Sequence, residues 1–325
     1  MSDTLARAAE TEVLVATADE VQGLVPEAVS PTRLAFRRFL RHKPAVVATV
    51  ILFLIALAVV LAPVLAPFGA NERVAQSGSL LLPPSSDYWF GTDAIGRDLY
   101  SRILWGGQVS LFIGISVAIS SAVIGTAIGA IAGFTGGRLD NILMRITDGF
   151  LAFPLLVTLL IVRQIPEHQP WAVNVLGPPG SIRLMVTLLT LVAWMLTARI
   201  VRGVVLSLKE KEFVEAARAL GASNKRIIVR HLVPNAIGPI IVAATLTVAG
   251  AIALESTISY FGFGVDPTQA SWGNLLSDSK GFVLQNKWWM VVFPSLALLL
   301  TILAVNFLGD GMRDAFDPKQ SRERA

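Results

Sequence analysis

Long stretches without a charged residue alternate along this chain with short polar segments, and their lengths are those of helices that cross a lipid bilayer. The first stretch, Ala45 to Ala66, runs for 22 residues without a charge. At 1.5 Å per residue this is about 33 Å of helix, against a hydrocarbon core of about 30 Å. Five further stretches follow: Val109 to Phe134, Ile142 to Val162, Ile182 to Val204, Ala236 to Ile258 and Trp288 to Leu308. The third is the least regular. Arg145 and Asp148 stand three apart in it, a spacing that predicts an ion pair at the membrane edge and leaves only Gly149 to Val162 uncharged. The fourth has Arg183 near one end and Arg199 and Arg202 near the other, where long side chains reach water. Ahead of them all, the first 30 residues are polar and acidic and read as a mobile tail, not as a secretory signal.

Whether the third stretch crosses or turns back decides the orientation of every later one, and the basic residues test this. With six crossings, 20 of the 27 Lys and Arg fall on the side of the N-terminus and 7 on the other. The asymmetry favours six spans with both termini cytoplasmic. Trp89, Trp105, Trp171, Trp272, Trp288 and Trp289 then fall on or near the outer side, as an interfacial belt or a docking face, leaving Trp194 alone within a span.

Composition agrees. The 325 residues are 54% hydrophobic and 15% charged, where an average soluble chain carries roughly 25% charged residues; the mean hydropathy is +0.63. A length that suggests about two soluble domains therefore reads as one membrane bundle. The net charge of +4 points by itself to nucleic acid, an anionic surface or acidic ligands. Placed along the chain, it becomes an orientation signal. Absence of Cys excludes disulfides, thiolate metal sites and thiol catalysis, and three scattered His (His42, His168, His231) argue against a histidine-built site, so no metal ligand is expected.

Within the second stretch Gly125, Gly129 and Gly133 form a ridge at four-residue spacing, which predicts close packing against another helix. Pro63, Pro154, Pro239 and Pro294 are expected to kink or begin spans.

The long segment Lys209 to Asn235 reads as two short helices. Glu210 to Leu220 is rich in helix formers, Gly221 suits a left-handed turn, Ser223 suits the next cap, and Pro234 is expected to stop the second helix. A DNA-reading helix-turn-helix has this outline, but a segment tethered between two spans is poorly placed for it; a solvated basic loop is the plainer alternative.

At these residues the chain resembles the integral membrane permease subunits of bacterial ATP-binding-cassette importers. Their loop signature is E-A-A, three residues, G, nine residues, then I-x-L-P. Here Glu215, Ala216, Ala217, Gly221 and Pro234 match, Ala222 and Ser223 follow the glycine, and His231 and Val233 replace the isoleucine and leucine. The resemblance implies a short coupling helix, around Ala219 to Lys225, docked on a separate ATPase subunit. Phe90 to Asp98 (FGTDAIGRD), Ser259 to Val265 (SYFGFGV), Ser271 to Asn274 (SWGN) and Leu308 to Asp314 (LGDGMRD), followed by Asp317 and Pro318, resemble the second permease subunit of oligopeptide and dipeptide importers.

The resemblance implies an all-α, polytopic protein with the binding-protein-dependent permease fold, in the bacterial inner membrane. The layout is a disordered tail over 1–32, a first span with an extracytoplasmic segment over 33–108, a five-helix core over 109–312 with its coupling loop at 205–235, and a tail over 313–325. The implied partners are a homologous permease forming a heterodimer, two ATP-binding-cassette ATPases, an extracytoplasmic binding protein and the lipid bilayer, with no nucleic acid. The implied cargo is di- or oligopeptides, with nickel chelates or opines as alternatives within the family. No cofactor is expected on this chain, ATP and Mg belonging to the ATPases; indeed it has no Gly-Lys pair from which to build a phosphate-binding loop. No catalytic residue is expected. Trp105 to Gln108 (WGGQ) is similar to a nucleotide-contacting motif of such ATPases, but its place at the outer start of a span makes it a coincidence.

Glu255, near the outer end of the fifth stretch, either faces the translocation path or a binding protein, or is an interfacial carboxylate reaching water. Asp93, Arg97 and Asp98 either form an ion-paired cap or belong to the surface that receives the binding protein. A secondary transporter or channel would need repeats or ionisable groups at mid-membrane, and a membrane-embedded enzyme would need converging nucleophile and base; neither pattern stands out.

Overall fold

The computed structural model describes residues 31–74 and 80–316. The tail expected over 1–32 lies almost wholly outside them, as do Asp317, Pro318 and the rest of the C-terminal tail. The described residues are helical and contain no strand, only two isolated bridges, Arg73 with Arg97 and Thr92 with Asp98. In chain order the helices are α1 (Pro31–Arg41), α2 (Lys43–Val60), α3 (Ala62–Leu65), α4 (Leu99–Thr135), α5 (Gly137–Leu151), α6 (Leu155–His168), α7 (Pro170–Leu176), α8 (Ile182–Leu208), α9 (Glu212–Ala219), α10 (Asn224–Ile227), α11 (Val233–Asn235), α12 (Ile237–Tyr260), α13 (Trp272–Asp278) and α14 (Trp289–Phe316). A π turn, Ile228–Leu232, joins α10 to α11.

Five helices, α2, α4, α8, α12 and α14, are each long and apolar enough to cross a membrane. On α2 and α4 the outward faces carry Phe53, Ile119 and Val123, all about 60% exposed or more, as lipid-facing side chains do. Two stretches differ from the sequence expectation. The first span ends at Val60, and Pro63 begins the separate turn of α3. The second begins ten residues earlier than its apolar run, at Leu99, with the Asp98 side chain capping the Ser101 N–H at 2.8 Å. Arg102 does not break this helix, because carboxylates beside it neutralise its charge.

The third stretch is not one helix. α5 and α6 meet at 92° across Ala152–Pro154. Pro154 has no N–H to continue α5 and pushes Phe153 out of the helical region. Asp148 pairs with Arg199 of α8, not with Arg145 as expected.

The bent pair nevertheless carries the chain from one end of the bundle to the other. α4 and α8 run parallel: a side chain on Gly125 would meet Thr197 (2.6 Å) and the Trp194 carbonyl (2.7 Å), Gly129 faces the Ala198 carbonyl, and Gly133 would meet the Arg202 carbonyl at 2.9 Å. The glycine ridge is thus buried against α8 as predicted, in close backbone approach. Two consecutive parallel helices require the segment between them to return the full length of the bundle. α5 does so from the loop end, where 209–235 sits, and α6 reaches the opposite end, the ledge end, where residues 261–279 fold over the bundle and Arg163 Nε donates to the Phe263 carbonyl at 2.7 Å. A hairpin would have left α8 antiparallel to α4.

Three apolar clusters hold the bundle. At mid-depth Ile113, Val117, Leu159, Leu184, Leu188 and Ile258 meet. At the ledge end Val59, Leu99, Ile103, Ile252, Trp272 and Trp289 pack together. At the loop end Phe134, Val201 and Val205 receive Val214, Ile227 and Leu232. Trp272 and Trp289 are core residues, not members of an interfacial belt; their indole N–H groups reach the carbonyls of Ile103 (3.0 Å) and Thr92 (3.3 Å). Trp89, Trp171 and Trp288 are exposed.

Candidate functional site

At the loop end, Val214 and Ala217 face inward while Glu215 and Ala216 face out. The three-residue spacing places the first two on one face of α9. Gly221 ends α9 with φ +78°. Its N–H reaches the Arg218 carbonyl at 2.9 Å, and the Ala222 N–H reaches back to Ala217 at 3.0 Å. This paired closure needs a left-handed residue, the role that glycine fills without a Cβ penalty. Ser223 stands at the cap of α10, but its side chain makes no capping bond there; its carbonyl accepts the Ile227 N–H instead.

Two expectations for the loop are corrected. Residues 220–223 form a turn, so the helix of the motif is Glu212–Ala219, upstream of the expected Ala219 to Lys225. Pro234 does not stop the second helix. The π turn sends the Val233 N–H to Ile228, and this wider register lets the chain pass the donor-less proline into α12.

The loop is buttressed from inside and bare outside. Val214, Ile227 and Leu232 are fully buried against α4 and α8, and the Arg218 guanidinium lies 5.4 Å from the Phe134 ring centroid. Leu220, at the turn, is 88% exposed, beside the exposed Glu215, Ala216, Gly221 and Ser223. An apolar tip on a buried base is suited to a protein contact.

Glu255 is 0% exposed, so it reaches neither water nor an open surface of this subunit; its carboxylate receives the hydroxyls of Ser259 (2.8 Å), Ser271 (2.9 Å), Ser110 and Ser256 (3.3 Å each). Asp93 and Arg97 do pair, at 2.6 Å, and Arg102 and Asp278 complete a four-membered cluster. Asp98 stands outside it as the cap of α4, bonded to the N–H and hydroxyl of Ser101. Sequence reading missed Arg102 and Asp278 as partners, since 176 residues separate them. WGGQ is a packing element: side chains at Gly106 and Gly107 would strike Ser271 and Trp272, and Gln108 Nε2 donates to the Val59 carbonyl at 3.0 Å.

Between the two ends, α4, α6, α8 and α12 border an apolar cleft of about 290 Å³, lined by Val117, Leu155, Leu189, Ala193, Leu196 and Gly250. A bundle of long helices with apolar outward faces, an open cleft and a buttressed loop with an exposed tip is the layout of a multi-pass membrane protein.

The chain belongs to the family described as binding-protein-dependent transport system inner membrane component, whose model matches residues 125–322. A second model, the N-terminal TM domain of oligopeptide transport permease C, matches residues 30–84. The chain is 38% identical to the dipeptide transport system permease protein DppC of Bacillus subtilis (strain 168) over 93% of its own length and 90% of the relative's. It is 39% identical to the oligopeptide transport system permease protein OppC of Haemophilus influenzae over 93% of each chain. Among solved structures, an inward-facing form of the MetNI methionine ABC transporter shares the fold, with a TM-score of 0.52 and 22% identity over 66% of this chain and 96% of that one. The protein is therefore a multi-pass inner-membrane permease subunit of an ATP-binding-cassette importer, in which separate ATPase subunits hydrolyse ATP.

Proposed function

We propose that this subunit forms one half of the passage of a peptide importer, paired with a homologous permease, and that a binding protein delivers di- or oligopeptides to its ledge end. The names of its relatives DppC and OppC support the substrate class. The bias of Lys and Arg toward the loop end supports placing that end in the cytoplasm, with the ATPases. The observation that carries the coupling role is the contrast at the loop: Leu220 is 88% exposed while Val214, Ile227 and Leu232 are fully buried beneath it.

ATP binding draws the ATPases together, and the α9–α10 turn moves with the groove it occupies. Because the loop core is shared with Phe134 and Val205, α4 and α8 move too, and the bundle exchanges inward-open for outward-open packing. The differential contacts that bias the two states lie at Glu215 to Ser223. Uptake of labelled peptide into proteoliposomes tests this: transport should require the second permease, the ATPases and the binding protein. Uptake by this chain alone would refute the reading.

A further inference from the structure

Residues 261–279 leave α12 at Gly262, where φ is +87°, fold over the bundle end and re-enter it as α13. This ledge is seated on Glu255. The four hydroxyls around the carboxylate come from three places: Ser110 from α4, Ser256 and Ser259 from α12, and Ser271 from the cap of α13. Two of them also hold the ledge backbone. Ser271 Oγ accepts the Asn274 N–H at 3.1 Å, and Ser110 Oγ accepts the Trp272 N–H at 3.2 Å. Ser110 and Ser271, each accepting a ledge N–H on the oxygen and donating the hydroxyl proton to the carboxylate, thus link Glu255 to the ledge backbone. The fit is close, since a Cβ on Gly273 would lie 2.7 Å from Ser256 Cα and 3.2 Å from Glu255 Oε1.

The far end of α13 is tied as well. Asp278 Oδ2 lies 3.0 Å from Arg102 Nη1 and 3.4 Å from Arg97 Nη2, and both guanidinium groups also bind Asp93. On the outward side Asn71 Nδ2 donates to the Thr268 carbonyl at 2.6 Å. These groups border a hollow of about 510 Å³ lined by Asn71, Arg73, Arg97, Pro267, Thr268 and Asp278.

We propose that Glu255 is a positioning residue for import: itself enclosed, it fixes the register of the ledge. Through α13 it sets Asp278 against Arg97 and Arg102, and it holds Thr268 against Asn71, shaping the surface offered to the delivering protein. The import part of this inference rests on the function proposed above.

The chain has no cysteine, so an Asn71→Cys/Thr268→Cys pair reports the seating of the ledge directly. In the assembled importer, oxidative cross-linking of this pair should slow about tenfold when Glu255→Gln replaces one accepting oxygen by an NH2 group that cannot receive a hydroxyl proton. Ser271→Ala, which keeps the carboxylate and removes one donor, should slow it by a smaller factor. In Glu255→Gln the concentration of peptide-loaded binding protein giving half-maximal uptake should rise, with a smaller change in maximal rate; a general loss of folded protein would instead lower the maximal rate alone. Cross-linking at the parent rate in both variants overturns the anchor. Slowed cross-linking with unchanged half-saturation overturns its role in import. Should Glu255→Gln fail to reach the membrane, Ser271→Ala decides by the same two measurements. A complex that imports no peptide at all refutes the function proposed above and leaves the cross-link as judge of the anchor.

Discussion

Arg202 holds both carboxylate oxygens of Asp140, with Nε 2.5 Å from Oδ1 and Nη2 2.7 Å from Oδ2, across 62 residues of chain. The fork fastens α5 to α8, and a second tie, Arg199 with Asp148, lies about one turn away along α8 and about two along α5. Asp140 is only 6% exposed, so its removal leaves a guanidinium facing a site built for a charge.

Asp140→Asn keeps the shape and loses the counter-charge. It should destabilise the detergent-solubilised protein by about 2 kcal/mol. Arg202→Lys should cost less, since one charge remains and only the fork geometry is lost. Thermal unfolding of both variants beside the parent checks this; an unchanged midpoint for Asp140→Asn would show that the pair contributes nothing.

Two glycines in spanning helices should respond oppositely to alanine. At Gly129 the new methyl would run into the Ala198 carbonyl, a backbone atom that cannot step aside, whereas at Gly250 it would meet nothing within 4 Å. Gly129→Ala is expected to destabilise by roughly 1–3 kcal/mol through overpacking. Gly250→Ala should be neutral or stabilising by up to about 1 kcal/mol, from helix propensity alone. Equal effects in the same melting assay would mean that the α4–α8 contact is looser than described.

At the loop, Gly221→Asp places a side chain on a residue with φ +78°, at a strain of about 1–2 kcal/mol, and adds a negative charge at the exposed turn. Glu215→Lys reverses an exposed charge on α9 without touching the buried Val214 and Ala217. Both variants should insert normally and lose most ATP-driven uptake. Parent-level uptake in the pair would remove the coupling role from this loop.

Asp266, in the ledge and fully outside the spans, is held below the ordinary aspartate range chiefly by the Thr268 hydroxyl and then by the Thr268 N–H. A depressed carboxylate contributes stability that is complete above its unfolded value, near 3.9, and is lost as pH falls through the lowered folded value. The mobility of a spin label already attached at Gln269→Cys should therefore be flat from about pH 5 to 8 and rise only in stronger acid. A rise between pH 5 and 7 would assign the loop's order to some other group.

How many apolar stretches there are, roughly where they lie and which loop carries a glycine turn can be read from the order of the residues alone. These are local properties: the transfer of side chains to lipid depends on a run of neighbours, and the turn at Gly221 depends on the residue that can adopt it. The glycine ridge at Gly125, Gly129 and Gly133 was legible for the same reason, though not the helix it meets. Only the packing of distant segments decides that the chain returns the full length of the bundle despite a 92° break at Pro154, because the parallel course of α4 and α8 relates residues far apart in sequence. It also decides that Asp148 pairs with Arg199, that Trp272 is core, and that Glu255 is enclosed by hydroxyls up to 145 residues away. A charge or an indole in an apolar run carries no local mark of its partner. Where it ends up is set by which helices pack beside it.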